Sequence, residues 1–151
     1  MKTFVAVAAV AALAGAAYAG PWQPFSFGGV GSVAGPFSIT LTAAEPSLDV
    51  TDAFLSGDQF RVRVSGVGEF DTSVPTSTGD SQPDYDLAYS DPAGRWSKGR
   101  INLGAGTYTF DILVTASPFG GGGGAYRSAV PGPASAGLLA LAGLAAGRRR
   151  R

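Results

Sequence analysis

The stretch Thr107-Tyr108-Thr109-Phe110-Asp111-Ile112-Leu113-Val114 decides the fold class. Tyr108, Phe110, Ile112 and Val114 occupy every second position, with Thr107, Thr109, Asp111 and Leu113 between them. Successive strand side chains point to opposite faces, so period two with one largely polar face predicts a half-buried antiparallel strand. Two other runs repeat the pattern. Phe37, Ile39 and Leu41 alternate with Ser38, Thr40 and Thr42, and Phe60, Val62 and Val64 alternate with Arg61 and Arg63. Shorter strands are expected at residues 23–27, 48–54, 101–103 and 125–128. Leu103-Gly104-Ala105-Gly106-Thr107 reads as a short hairpin connection. Eighteen of the twenty-three glycines lie between residues 20 and 129, which argues against long helices there. About seven such strands predict an all-β fold, an antiparallel β-sandwich of jelly-roll-like type.

Two segments lack this alternation. Residues 72–94 are rich in Ser, Thr, Pro and Asp and read as a long loop, with one helical turn at residues 86–89. Residues 120–124 are five consecutive glycines and read as a flexible connector or an open hairpin loop.

Both ends of the chain depart from this composition. Residues 1–19 combine Lys2, an apolar stretch over residues 4–16 and the small-x-small triplet Ala17-Tyr18-Ala19. That is the layout of a secretory signal helix cleaved after Ala19 by signal peptidase. At the other end Val130-Pro131-Gly132-Pro133 breaks regular structure, residues 134–146 are Ala, Leu, Gly and one Ser, and Arg148, Arg149, Arg150 and Arg151 close the chain. Thirteen helical residues span about 20 Å, short of a hydrocarbon core of about 30 Å. Such a short transmembrane helix suits a transient stop, with the arginines held on the cytoplasmic side. The chain therefore divides into a signal peptide (1–19), a β-sandwich domain (20–129) and a tail (130–151).

The formal net charge of zero conceals an acidic domain. Residues 20–129 carry six basic side chains against all eleven acids. Nucleic acid is not an expected partner, because phosphate binding needs a basic face. Cysteine and histidine are both missing from the sequence. The domain must hold together by core packing or a bound cation, and the commonest general base and zinc ligand are lacking. Serines without a histidine form no nucleophile constellation, so the chain is not read as an enzyme.

Two sets of polar and aromatic residues remain as site candidates. Asp52 and Asp58 flank the turn around Gly57, and Asp91 lies in the long loop. Acids at turns cap backbone N–H groups, and acids from two loops also supply the hard oxygens that Ca²⁺ requires. Both readings stand, with Ca²⁺ at Asp52, Asp58 and Asp91 the sharper one. Trp22, Trp96 and Tyr85 sit in or beside loops, where they either cap the core edge or stack on sugar rings.

The tail resembles the PEP-CTERM sorting signal of Gram-negative bacteria. The likeness rests on Val130-Pro131-Gly132-Pro133, the short apolar helix and Arg148 to Arg151, with Gly132 where that family carries Glu. The stretch Leu48-Asp49-Val50-Thr51-Asp52-Ala53-Phe54-Leu55-Ser56-Gly57-Asp58-Gln59-Phe60-Arg61-Val62 is similar to the Gly-Asp-rich domain of many such proteins. The resemblance implies Sec export, transient anchoring in the inner membrane and cleavage by an exosortase-like enzyme. It implies a structural protein of the cell surface or exopolysaccharide matrix. The alternative is a secreted carbohydrate-binding module that retains matrix polysaccharide.

Overall fold

The computed structural model describes residues 19–130. Among them are nine strands and one short helix: β1 (Gln23–Gly28), β2 (Val33–Leu41), β3 (Ser47–Leu55), β4 (Gln59–Val64), β5 (Gly68–Asp71), β6 (Ser81–Gln82), α1 (Tyr85–Ser90), β7 (Lys98–Asn102), β8 (Gly106–Ala116) and β9 (Gly121–Ala129). They form two antiparallel sheets. One runs β1-β9-β3, and the far edge of β3 pairs first with β7 and then with the short β6. The other runs β2-β8-β4-β5.

The alternating residues form the core between the sheets. Ile39, Leu41, Phe60, Val62, Val64, Phe110, Ile112 and Val114 are all buried in it, with Leu48, Val50, Phe25 and Tyr126 contributed by the facing sheet. Tyr126 meets Phe110 edge-on at 5.0 Å between ring centroids. Such pairs add about 0.5–1.5 kcal/mol beyond the area they bury.

Two sequence expectations are corrected. The glycines at 121–124 form the first half of β9 and pair with β1 on one side, and Gly123 and Gly124 also pair with β3 on the other. Aromatic rings from those neighbours occupy the space a side chain would take. A Cβ on Gly124 would stand 2.7 Å from Phe25 Cζ, and one on Gly123 would stand 3.1 Å from Phe54 Cε2. Leu103 to Thr107 is no hairpin either, because β7 and β8 belong to different sheets and the segment arches between them.

The segment between β5 and β7 folds over the outer face of the β1-β9-β3 sheet, where α1 packs on β3. Asp84 caps α1, its carboxylate accepting the N–H groups of Asp86 and Leu87. Seven of the nine residues of β3 are buried as a result, on both faces of the strand.

The registers set two poles. Gln23 lies opposite Tyr126, and the Gly20 N–H donates to the Ser128 carbonyl at 3.0 Å. Chain entry and exit therefore share one pole. At the other pole Gly28 faces Gly121, and the β3–β4 and β8–β9 turns meet there, with Gln59 opposite Ala116. No helix among the described residues is long and apolar enough to cross a membrane. The signal segment up to residue 18, with Ala17, and the tail from Pro131 through Gly132, Pro133 and the terminal arginines lie outside the described residues. Val130 leaves β9 at the chain-end pole.

Candidate functional site

β3 carries two acids three residues apart on opposite faces, and their surroundings differ completely. Asp52 falls on the inward face with Leu48 and Val50 and is fully buried. Its Oδ1 accepts the Ala53 N–H at 2.8 Å, and the Gly57 and Asp58 N–H groups also face the carboxylate. Oδ2 has no hydrogen-bond partner. Asp58, across the turn, is 2% exposed, and its Oδ1 is likewise unpartnered. The Ser117 hydroxyl lies beside Asp58.

Burial in this apolar end of the sandwich penalises charge on both groups. Desolvation, with the neighbouring Asp58 charge added to it, pushes the Asp52 carboxyl up to about 8. Desolvation also lifts Asp58 above the usual carboxylate range, and the Ser117 hydroxyl opposes that lift.

A cavity of about 330 Å³ opens beside Asp58 at the pole away from the chain ends. Gly121, Gly122 and Gly123 form its floor, and Phe54, Leu55 and Asp58 form its walls. Phe54 is 45% exposed and adopts a left-handed backbone conformation, φ +65°. For a residue with a Cβ this costs about 1–2 kcal/mol. The Phe54 carbonyl accepts the Trp96 Nε1–H at 3.3 Å, and its ring meets Tyr85 edge-on at 6.1 Å.

The other candidates fall elsewhere. Asp91 does not join Asp52 and Asp58. Its carboxylate accepts the Arg95 backbone N–H at 2.8 Å and the guanidinium at 3.1 and 3.2 Å. Those Arg95 hydrogen bonds hold its carboxyl down at about 2. Among the described residues no three acids, histidines or cysteines converge on one point.

Trp96 is 2% exposed and covered by the Arg95 guanidinium at 4.8 Å, so it offers no platform to a sugar. The long loop that folds over β3 buries it, and nothing local in sequence marks that. Trp22 and Tyr85 do come together, with ring centroids 6.2 Å apart. Trp22 already carries the Arg127 guanidinium over its ring at 4.0 Å and donates its Nε1–H to Asp86 at 3.0 Å. Both rings are half-buried.

Asp49 and Phe54 are not among the site candidates drawn from the sequence. Asp49, on the outward face of β3, is fully buried yet well partnered. It accepts Arg100 Nε at 2.6 Å and Nη2 at 2.8 Å, and the Tyr89 hydroxyl at 2.9 Å. Arg127 Nε lies 3.6 Å away. Burial, and then the Asp49 charge, push the Tyr89 hydroxyl up to about 12. The side-chain hydrogen bond to Asp49 also holds Arg100 above its ordinary range. The signal was present in pattern only: Asp49 stands directly opposite Arg100 on β7 and Arg127 on β9.

No family model, no curated protein and no solved structure matches the chain.

Proposed function

We propose that the chain is an exported structural protein of the cell surface or exopolysaccharide matrix of a Gram-negative bacterium. In this reading signal peptidase trims its N-terminus and an exosortase-like enzyme its tail. The observation that carries it is the shared pole of the chain ends, where Gly20 N–H donates to the Ser128 carbonyl at 3.0 Å. A tail emerging after Val130 would hold the sandwich by that pole and present the opposite one outward. The jelly-roll form of the reading is supported by the strand order. With the two-residue β6 set aside, the eight remaining strands order as first-eighth-third-sixth and second-seventh-fourth-fifth. That is the arrangement of two interleaved Greek keys.

Intact-mass measurement of the extracellular protein tests the reading. A product beginning at Gly20 and lacking Arg148 to Arg151 supports it. A soluble extracellular product that retains the four arginines overturns it.

The cavity favours a second reading, a carbohydrate-binding module. It lies at the outward pole, with an exposed aromatic wall over a glycine floor. Phe54, with Tyr85 behind it, replaces Trp96 as the stacking residue. Phe54→Gly removes the ring while relieving the left-handed backbone. Binding of the purified protein on an array of neutral glycans, lost in Phe54→Gly, supports this second reading, and silence across the array removes it.

A further inference from the structure

The distal cavity occupies a fork in the sheet. β3 stays beside β9 as far as Ala53, opposite Gly123, and then turns at Phe54 to pair with Gln82 of β6. Gly121 and Gly122 continue beside β1 alone. Bare glycine backbone floors the fork, which lets a ligand approach closely. Phe54, Leu55 and Ser26 border it, and among the described residues Asp58 is the one charged side chain in its lining. Asp58 is 2% exposed, yet its Oδ2 lies over the floor, 3.0 Å from where a Gly122 Cβ would stand.

That carboxylate has no counter-charge in the domain. The six basic side chains of residues 20–129 are all engaged elsewhere: Arg61 with Asp71, Arg63 with Asp111, Arg95 with Asp91, Lys98 with the Asp91 carbonyl, Arg100 with Asp49 and Arg127 with Asp86. Buried charges are normally paired. Desolvation lifts the proton affinity of Asp58, as expected of a carboxylate lacking a cation. Asp52, pushed up to about 8, keeps its proton at neutral pH, so one positive charge suffices for the pair.

We propose that the distal cavity takes a sugar ring bearing a free amine, its apolar face against Phe54 and its ammonium on Asp58 Oδ2, an inference that rests on the carbohydrate-binding reading. An ammonium needs only one carboxylate, where a metal ion needs several oxygens converging on it. Phe54 offers an exposed aromatic ring for stacking and adds a cation–π attraction to the ammonium. Ser26 supplies a hydroxyl for those of the sugar. The volume of about 330 Å³ is at the small end of ligand sites and suits one ring. Acidic sugars are disfavoured, because Asp58 repels their carboxylate and the lining holds no cation to receive it.

The test is calorimetric titration of the purified protein at neutral pH with the glucosamine disaccharide and with its N-acetylated counterpart. The wild type is expected to bind the free amine about tenfold more tightly, the margin of a charge-assisted hydrogen bond over a neutral one. Asp58→Asn keeps the shape, removes the charge and is expected to bind both sugars alike. Asp71→Asn makes the same change of net charge at an exposed acid paired with Arg61 and keeps the preference. Equal binding of the two sugars by the wild type, or a preference that survives in Asp58→Asn, overturns the proposal while leaving a carbohydrate-binding module standing. n-Butylamine binding as tightly as the glucosamine disaccharide assigns the cavity to bare ammonium groups, such as lysine side chains, and overturns the sugar. Silence with both disaccharides overturns the proposal and the reading beneath it together.

Discussion

Asp49 and Asp52 lie three residues apart on one strand, both fully buried, and they have opposite fates. Asp49 faces outward beneath α1 and meets two arginines and a tyrosine hydroxyl. Asp52 faces inward toward a second carboxylate and keeps an oxygen without a partner. The two acids show that burial alone does not mark a site. Asp49 has the partners of a structural ion cluster, which holds β3, β7, β9 and α1 together. Asp52 has no counter-charge, only backbone N–H groups and a neighbouring carboxylate.

The sharpest way to break this comparison is Asp49→Ala. It leaves Arg100 and Arg127 against an uncharged, partly closed pocket, and breaking such a pair costs about 3–5 kcal/mol. A denaturant midpoint close to wild type would show that the cluster is ornamental. Next is Gly124→Ala, which acts on the β9 residue opposite Asp52. The added Cβ would meet Phe25 Cζ at 2.7 Å and the Thr51 carbonyl at 2.8 Å, and the backbone oxygen cannot swing away. Overpacking of this kind costs about 1–3 kcal/mol, measurable by the same unfolding curve.

A smaller effect separates the two acids by pH. Asp52 stays protonated in the fold up to about 8, against 3.8 for the ordinary carboxyl. The native state then holds the extra proton, so this group stabilises fully below pH about 4, and that contribution is lost as pH rises toward about 8. The wild-type melting temperature is expected to fall through this window, and Asp52→Asn to flatten the fall. An unchanged slope in the variant would remove Asp52 as its source. The smallest effect is at the rim of the Asp49 cluster. Trp22→Phe loses the indole hydrogen bond to Asp86 but leaves a ring beneath Arg127. A loss of about 0.5–1 kcal/mol is expected, and a loss matching that of Asp49→Ala would merge rim and centre into one unit.

The alternating runs were legible because period two is a local property, and Phe110, Ile112 and Val114 needed no distant partner to declare their face. The glycine strand was not, because the groups that make it a strand are Phe25 and Phe54, far away in sequence. Trp96 and Trp22 looked alike in the chain. Only the fold of the segment between β5 and β7 over β3 separates the buried indole from the half-buried one. Asp52 and Asp58 could be paired from sequence because a tight turn joins the strand carrying one to the other. Asp91 could not be excluded, since its competitor Arg95 sits in the same loop and nothing local shows which group it prefers.

The neighbouring ends of the sandwich also set how it responds to force. β1 and β9 are adjacent and antiparallel, and the chain enters and leaves beside Gly20 and Ser128. Tension applied between the two termini would peel these strands apart one rung at a time, whereas load along opposed strand ends must shear many rungs at once. The domain is thus mechanically soft when stretched through both termini and unloaded when suspended from one, so a single tether preserves it where a double one would unravel it.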